Sequence, residues 1–152
     1  MFEKVLYPTD FSEVSKKAIN YLKSLKNAGL KQVVIVRVIN DKRIDCISKG
    51  FAMAGKETSR FLKEVYDQLL EEASSEVKPI ESELENVGLE IKVRIERGVP
   101  HSKILQVADE ENVSAIVLGS HGRSNLSDML LGSVSAHVIR HCRQPVLVIK
   151  RD

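Results

Sequence analysis

The chain predicts a doubly wound α/β fold, a five-stranded parallel sheet with helices on both faces, built as one domain over residues 1–152. Short apolar runs alternate with amphipathic helical stretches along the whole sequence. Two runs, Gln32 to Ile39 and Ser114 to Leu118, are almost continuously apolar, as expected of strands covered on both faces. A glycine-rich loop leaves the second of these runs and enters a helix.

Lys4 to Tyr7 reads as the first strand, ended by Pro8. Phe11 to Ala28 reads as a helix with Val14, Ala18, Tyr21, Leu22 and Leu25 on one face, stopped by Gly29. After the Gln32–Ile39 strand, residues 40–57 read as an irregular stretch around Gly50, Phe51, Met53 and Gly55, either a functional flap or a disordered insertion. From Thr58 an apolar stripe runs to Val87 and keeps its phase across Pro79. It predicts one helix kinked near Ser75 to Pro79, with two separate helices as the alternative. Glu90 to Glu96 alternates Ile91, Val93 and Ile95 with charges, an edge-like strand. Pro100 suits the first position of a helix reaching Glu111. Ser133 to Arg143 predicts the last helix and Val146 to Lys150 the last strand. Each strand-helix-strand crossover is expected to be right-handed.

Composition narrows the function. Net charge is +2, no basic block is present and aromatics make up 5% of residues, so no nucleic-acid partner is expected. Cys46 and Cys142 form no C-x-x-C pair, which points away from a redox couple or zinc knuckle. The apolar runs are too short to span a bilayer, and Met1 leads straight into the first strand without room for a signal peptide. A cytoplasmic setting is the expectation.

The loop reads Gly119-Ser120-His121-Gly122, then Gly132-Ser133 after nine residues, or G-x2-G-x9-G-S. Glycine lets the main chain approach a ligand closely, and the amides and dipole of the following helix face an anion. The loop lacks the G-x-x-x-x-G-K-[ST] lysine, and no G-x-G-x-x-G follows the first strand, so neither a Walker nor a dinucleotide site is predicted. Ligands in open α/β sheets bind beyond the carboxyl ends of the strands, here Pro8-Thr9-Asp10, Val38 and Leu118-Gly119. Asp10 offers a carboxylate for ribose or adenine donors, although Asp10 with Glu13 also resembles a capping box. Ser133 suits both the N-cap of the last helix and an anion contact. His137, His141 and Cys142 share a helix face without complementary ligands elsewhere, so no metal site is assigned. Arg123 lies in the loop, where it could neutralise a γ-phosphate, but loop cations are usually solvated and it is not assigned to the site; Asp128 is the loop's carboxylate.

This loop, with Tyr-Pro-Thr-Asp-Phe-Ser at the start and Pro-Val-Leu-Val-Ile-Lys at the end, resembles the ATP-binding type of the universal stress protein family over essentially the whole chain. The resemblance implies sheet order 3-2-1-4-5. It implies Thr9, Asp10 and the Val38 backbone around adenine and ribose, with Leu118 and Gly119 on the sugar side. His121, Gly122, Gly132, Ser133, Val134 and Ser135 are implied for the phosphates; Ser135 stands where the family often has threonine. It also implies a homodimer through the last strand, Val146 to Lys150.

The resulting expectation is an ATP-binding, stress-responsive switch acting on a protein partner that the sequence does not name. Mg2+ would bridge the phosphates, and hydrolysis would be slow at most, since no phosphate-loop lysine or evident base is present. Two alternatives stand beside it. A scaffold without nucleotide would have a degraded glycine loop. An adenylyl- or phosphoryl-transferring enzyme would carry H-x-G-H or S-G-G-x-D-S after the first strand, where Pro8-Thr9-Asp10-Phe11-Ser12 stands. Valine at Gly122 or Gly132 is expected to abolish binding by filling the phosphate path.

Overall fold

A computed structural model describes residues 2–53, 58–122 and 131–151. Gly55 and Glu57 of the 40–57 stretch, and Arg123 and Asp128 of the glycine loop, lie outside the described residues.

The elements run β1 (Lys4–Pro8), α1 (Glu13–Lys26), β2 (Gln32–Asn40), α2 (Asp41–Met53), α3 (Thr58–Asn86), β3 (Glu90–Gly98), α4 (Pro100–Glu110), β4 (Ala115–Gly119), α5 (Ser133–His141) and β5 (Val146–Ile149). All strand pairs are parallel, in the order β3-β2-β1-β4-β5, as expected. Alternate side chains of the strands enter two cores. Val5, Tyr7, Val33, Ile35 and Val117 meet Ala18 and Leu22 of α1 and Val77, Ile80 and Leu84 of α3. Leu6, Val34, Val36, Val38, Ile116 and Leu118 meet Ile104, Val107 and Ala108 of α4 and Val138 of α5.

The strand reversal falls between β1 and β4. Their ladder joins only Val5 to Ala115 and Leu6 to Ile116, whereas β1 and β2 pair over the full length of β1. The two central strands therefore stop pairing before their carboxyl ends, which leaves a crevice where the sheet changes direction.

Two helices end alike. Gly29 and Gly88 have φ of 98° and 82°, and the residue after each donates its amide five residues back, Leu30 to Leu25 and Leu89 to Leu84. These left-handed closures turn α1 and α3 sharply into β2 and β3. At the far end of the sheet from the crevice, buried Glu111 binds three cations. Its carboxylate lies 3.1 Å from Lys4, 2.7 Å from Lys92 and 2.8 Å from Arg94. The Lys92 ammonium foremost, helped by Lys4 and Arg94 against the cost of burial, holds the Glu111 carboxyl down to about 2.

Several sequence expectations are corrected. Residues 41–53 form a helix rather than an irregular flap; Ile44 is buried and Phe51 stacks on Phe61 with ring centroids 3.8 Å apart. Thr58–Asn86 is a single helix with Pro79 inside it, so the two-helix alternative falls. Tyr21 is 45% exposed, off the buried face of α1. The α1 cap is Ser12, whose hydroxyl accepts from the Ser15 amide at 3.2 Å, not an Asp10–Glu13 box. Gly132 occupies the N-cap position of α5, and Ser133 is its first helical residue.

Candidate functional site

The turn that leaves β1 is the most constrained backbone near the crevice. Phe11 sits at φ 61°, a left-handed conformation that a bulky L-residue adopts at a cost of about 1–3 kcal/mol. Side chains brace it on either side. The Phe11 amide donates to Thr9 Oγ1 at 3.1 Å and the Ser12 amide to Asp10 Oδ1 at 3.0 Å. The Arg37 guanidinium lies 5.2 Å from the centre of the Phe11 ring, within cation–π range.

Beneath the turn lies a buried hydroxyl chain. Tyr7 Oη donates to the Ser15 carbonyl at 2.7 Å, and Ser15 Oγ donates to Thr9 Oγ1 at 2.7 Å. Burial above all pushes the Tyr7 phenol pKa up, keeping it a neutral donor. Thr9 Oγ1 thus accepts from both Ser15 and the Phe11 amide, which fills its two lone pairs. Its own proton is what it can offer an incoming acceptor.

Across the crevice, the described ends of the glycine loop are tied to each other. The Gly132 amide donates to the Ser120 carbonyl at 2.7 Å, and the Ser120 amide to the Ile149 carbonyl at 2.8 Å. Ser120 Oγ also lies 3.0 Å from His121 Nδ1. Among the described residues no side chain caps α5, and its first internal amide bond runs from Ala136 to Gly132. The amides of Ser133, Val134 and Ser135 are therefore the first-turn donors that helix geometry leaves unused. Ser135 Oγ donates to the Gly119 carbonyl at 2.7 Å, so this hydroxyl braces the strand end and leaves its amide for an anion.

The two sides meet at Asp10 and Gly122. A Cβ built on Gly122 would lie 2.7 Å from Asp10 Oδ2, so the carboxylate rests in the space that the glycine leaves open. A Cβ on Gly119 would instead press on Val14 of α1 at 3.0 Å, so that glycine serves helix–strand packing.

Between the two sides opens a cavity of about 320 Å³, at the lower end of the range for small-molecule sites. Every residue nominated from the sequence lines it. Pro8, Thr9, Asp10 and Val38 come from the ends of β1 and β2, and Leu118 and Gly119 from the end of β4. His121, Gly122 and Gly132 come from the loop, and Ser133, Val134 and Ser135 from the first turn of α5.

Sequence reasoning missed the rest of the wall. Val36, Ile104 and Val138 form an apolar side of the cavity, and Arg37 and Asn40 stand at the end of β2. Val36 was findable, since it lies two residues before Val38 on the same strand face. Ile104 and Val138 were not, because lining and core residues share one helical periodicity. Chemically, the cavity joins an apolar slot fit for a flat ring to a carboxylate and a bank of helix-start amides fit for an anion.

Comparison with known proteins follows the same outline. The model of the universal stress protein family matches residues 1–150. Universal stress protein MJ0577 of Methanocaldococcus jannaschii is 40% identical over 99% of this chain and 96% of its own length. The solved structure of MJ0577 superposes with a TM-score of 0.87 at 38% identity, covering 100% of this chain and 98% of that one. A universal stress protein from Archaeoglobus fulgidus, solved in complex with dAMP, shares the fold at a TM-score of 0.65 and 20% identity over 99% of this chain and 98% of that one. In motif, strand order and whole-length similarity, the chain belongs to the universal stress protein family.

Proposed function

We propose that the crevice between β1 and β4 binds ATP and that the protein works as a nucleotide-responsive regulatory switch. One observation carries this reading: twelve residues nominated from the sequence line one cavity, with the Asp10 carboxylate seated against Gly122. The base would lie in the slot of Val36, Val38, Ile104 and Val138, within reach of the Thr9 hydroxyl. Asp10 would accept from ribose hydroxyls or the adenine amine. The amides of Ser133 to Ser135 would receive the phosphates, with His121 beside them.

The described residues hold no group of three side chains suited to a metal, so Mg2+ would arrive on the phosphates rather than in a protein cage. Among the described residues, the ionisable groups lining the cavity are Asp10, Arg37 and His121, an equipment for holding a polyanion more than for activating water. Binding should appear as a rise in melting temperature with ATP·Mg2+, about 2.7 kcal/mol of stabilisation at a hundredfold excess over Kd. Isothermal titration that finds no heat, together with an unmoved melting temperature, would leave the scaffold reading in its place.

The switch acts as a homodimer in this reading. β5 ends the sheet, and Leu147 on it is 40% exposed, as is Ile139 of α5 at 38%. An apolar edge strand of this kind pairs readily with a second copy. Leu147→Lys is expected to shift the protein from dimer to monomer in sedimentation; a dimer of unchanged stability would place the interface elsewhere. Among the described residues, no helix is long and apolar enough to cross a membrane.

A further inference from the structure

Three imidazoles stack across the junction of α4 and α5. The rings of His101 on α4 and His137 on α5 have centroids 3.8 Å apart, and those of His137 and His141 are 4.1 Å apart. His141 Nδ1 lies 2.9 Å from the His137 carbonyl, which can only accept, so Nδ1 carries the hydrogen and fixes that ring. The groups acting on His137 are His101 from α4 and His141 and Arg140 from its own helix. All are neutral or cationic, and among the described residues no carboxylate pairs with the stack.

The stack adjoins the cavity wall. On α4, His101 follows Pro100, which lines the cavity together with Ile104. On α5, His137 precedes Val138 and lies one turn beyond Val134, both of which line it too. Ile104 and Val138 belong to one buried cluster, so whatever separates the two helices opens the apolar slot.

We infer that this histidine stack makes the grip of the cavity depend on pH, clamping α4 to α5 while its rings are neutral and forcing the helices apart when His101 and His137, the pair that spans them, both carry a proton. The inference rests on the nucleotide reading above for its ligand, but the clamp itself acts in the empty protein. Two imidazolium ions about 4 Å apart repel each other, and the described residues place no anion on the stack to offset them. The direction agrees with the chemistry of the central ring: burial first, then His101, His141 and Arg140, lower the His137 pKa from its ordinary 6.5. The unfolded chain therefore takes up this proton more readily than the fold. The stabilisation is complete at pH values well above 6.5 and is lost as pH falls through 6.5 toward the lowered value.

His137→Phe keeps a flat ring in the stack and removes its charge. Wild type and variant are compared from pH 8 to pH 5.5 by melting temperature without ligand and by calorimetric ATP affinity. Protonation of the ligand is common to both proteins and cancels in the ratio of their affinities. That ratio is expected to move about fivefold in favour of the variant as pH falls, and the ligand-free melting temperature of the variant to lose less on acidification. A ratio constant within about twofold, with parallel melting curves, overturns the clamp. If neither protein binds ATP at pH 8, the nucleotide reading fails and the ligand-free curves alone decide the clamp. Should the variant not fold, wild-type NMR decides. A His137 midpoint below 6.5 shared by the Ile104 and Val138 methyls supports the clamp, and methyls unmoved through that range sink it.

Discussion

Gly122→Val is expected to weaken ATP binding about 100-fold while costing only about 1 kcal/mol of stability, the worth of the Asp10–Ser12 bond that the displaced carboxylate loosens. Sequence reasoning expects such a loss because the new side chain would block the path of the phosphates. The structure supplies a nearer cause. The first added carbon would meet Asp10 Oδ2 at 2.7 Å, far inside contact distance, so the carboxylate must swing away. The fold should tolerate the change, because Gly122 is exposed and needs no positive φ. Asp10→Ala should reproduce most of the loss, and the double variant should be no worse than the poorer single one, because both remove the same contact. Additive losses in calorimetry would show that Gly122 acts without Asp10. Gly132→Val is milder at its first atom, which would meet His121 Cα at 3.4 Å, but its further carbons would crowd the loop closure made by the Gly132 amide.

The largest effect on stability is expected at the opposite end of the sheet. Glu111→Ala leaves Lys4, Lys92 and Arg94 facing one another across a nearly buried site, and should cost about 3 kcal/mol. For a domain of this size that lowers the melting temperature by roughly 6–12 °C. The wild-type contribution also has a defined acid limit. The folded pKa of Glu111 is about 2, below the ordinary carboxyl value of 4.5, so the unfolded chain binds this proton first. The contribution is fully present above 4.5 and is lost as pH falls toward 2. Urea midpoints of wild type and variant should therefore converge between pH 4.5 and pH 2. A gap that stays constant over that window would mean that Glu111 acts through packing instead of charge.

Much of this architecture is legible in the residues, and the failures share causes. The strands were readable because β-branched runs such as Val33 to Val36 have few other uses. The strand order came from resemblance, since periodicity says nothing about which strand lies beside which. α2 was hidden by Gly50, which costs a helix interior about 1 kcal/mol and reads as a loop signal. Its Ile44, Ile47 and Phe51 do recur at helical spacing, and contact with α3 and β2 outweighs the glycine. The sequence puts the α1 cap two residues early, because no pattern announces that Phe11 turns left-handed and delays the helix to Glu13. The sequence puts the α5 cap one residue late for a related reason. Serine is the better cap by propensity, but a bare glycine there keeps the first-turn amides clear of a competing side-chain acceptor.

The contorted bend at Phe11 implies a trade between robustness and use. Asparagine or glycine would sit at that φ with less penalty, so a screen that rewards heat resistance alone should drift toward them. Such winners would surrender the ring against which Arg37 lies, and with it a contact that places this cation at the cavity wall. Sturdier descendants of this protein should thus be poorer at holding their effector, and the quickest sign of the bargain would be a gain in melting point matched by a loss of ligand-induced shift.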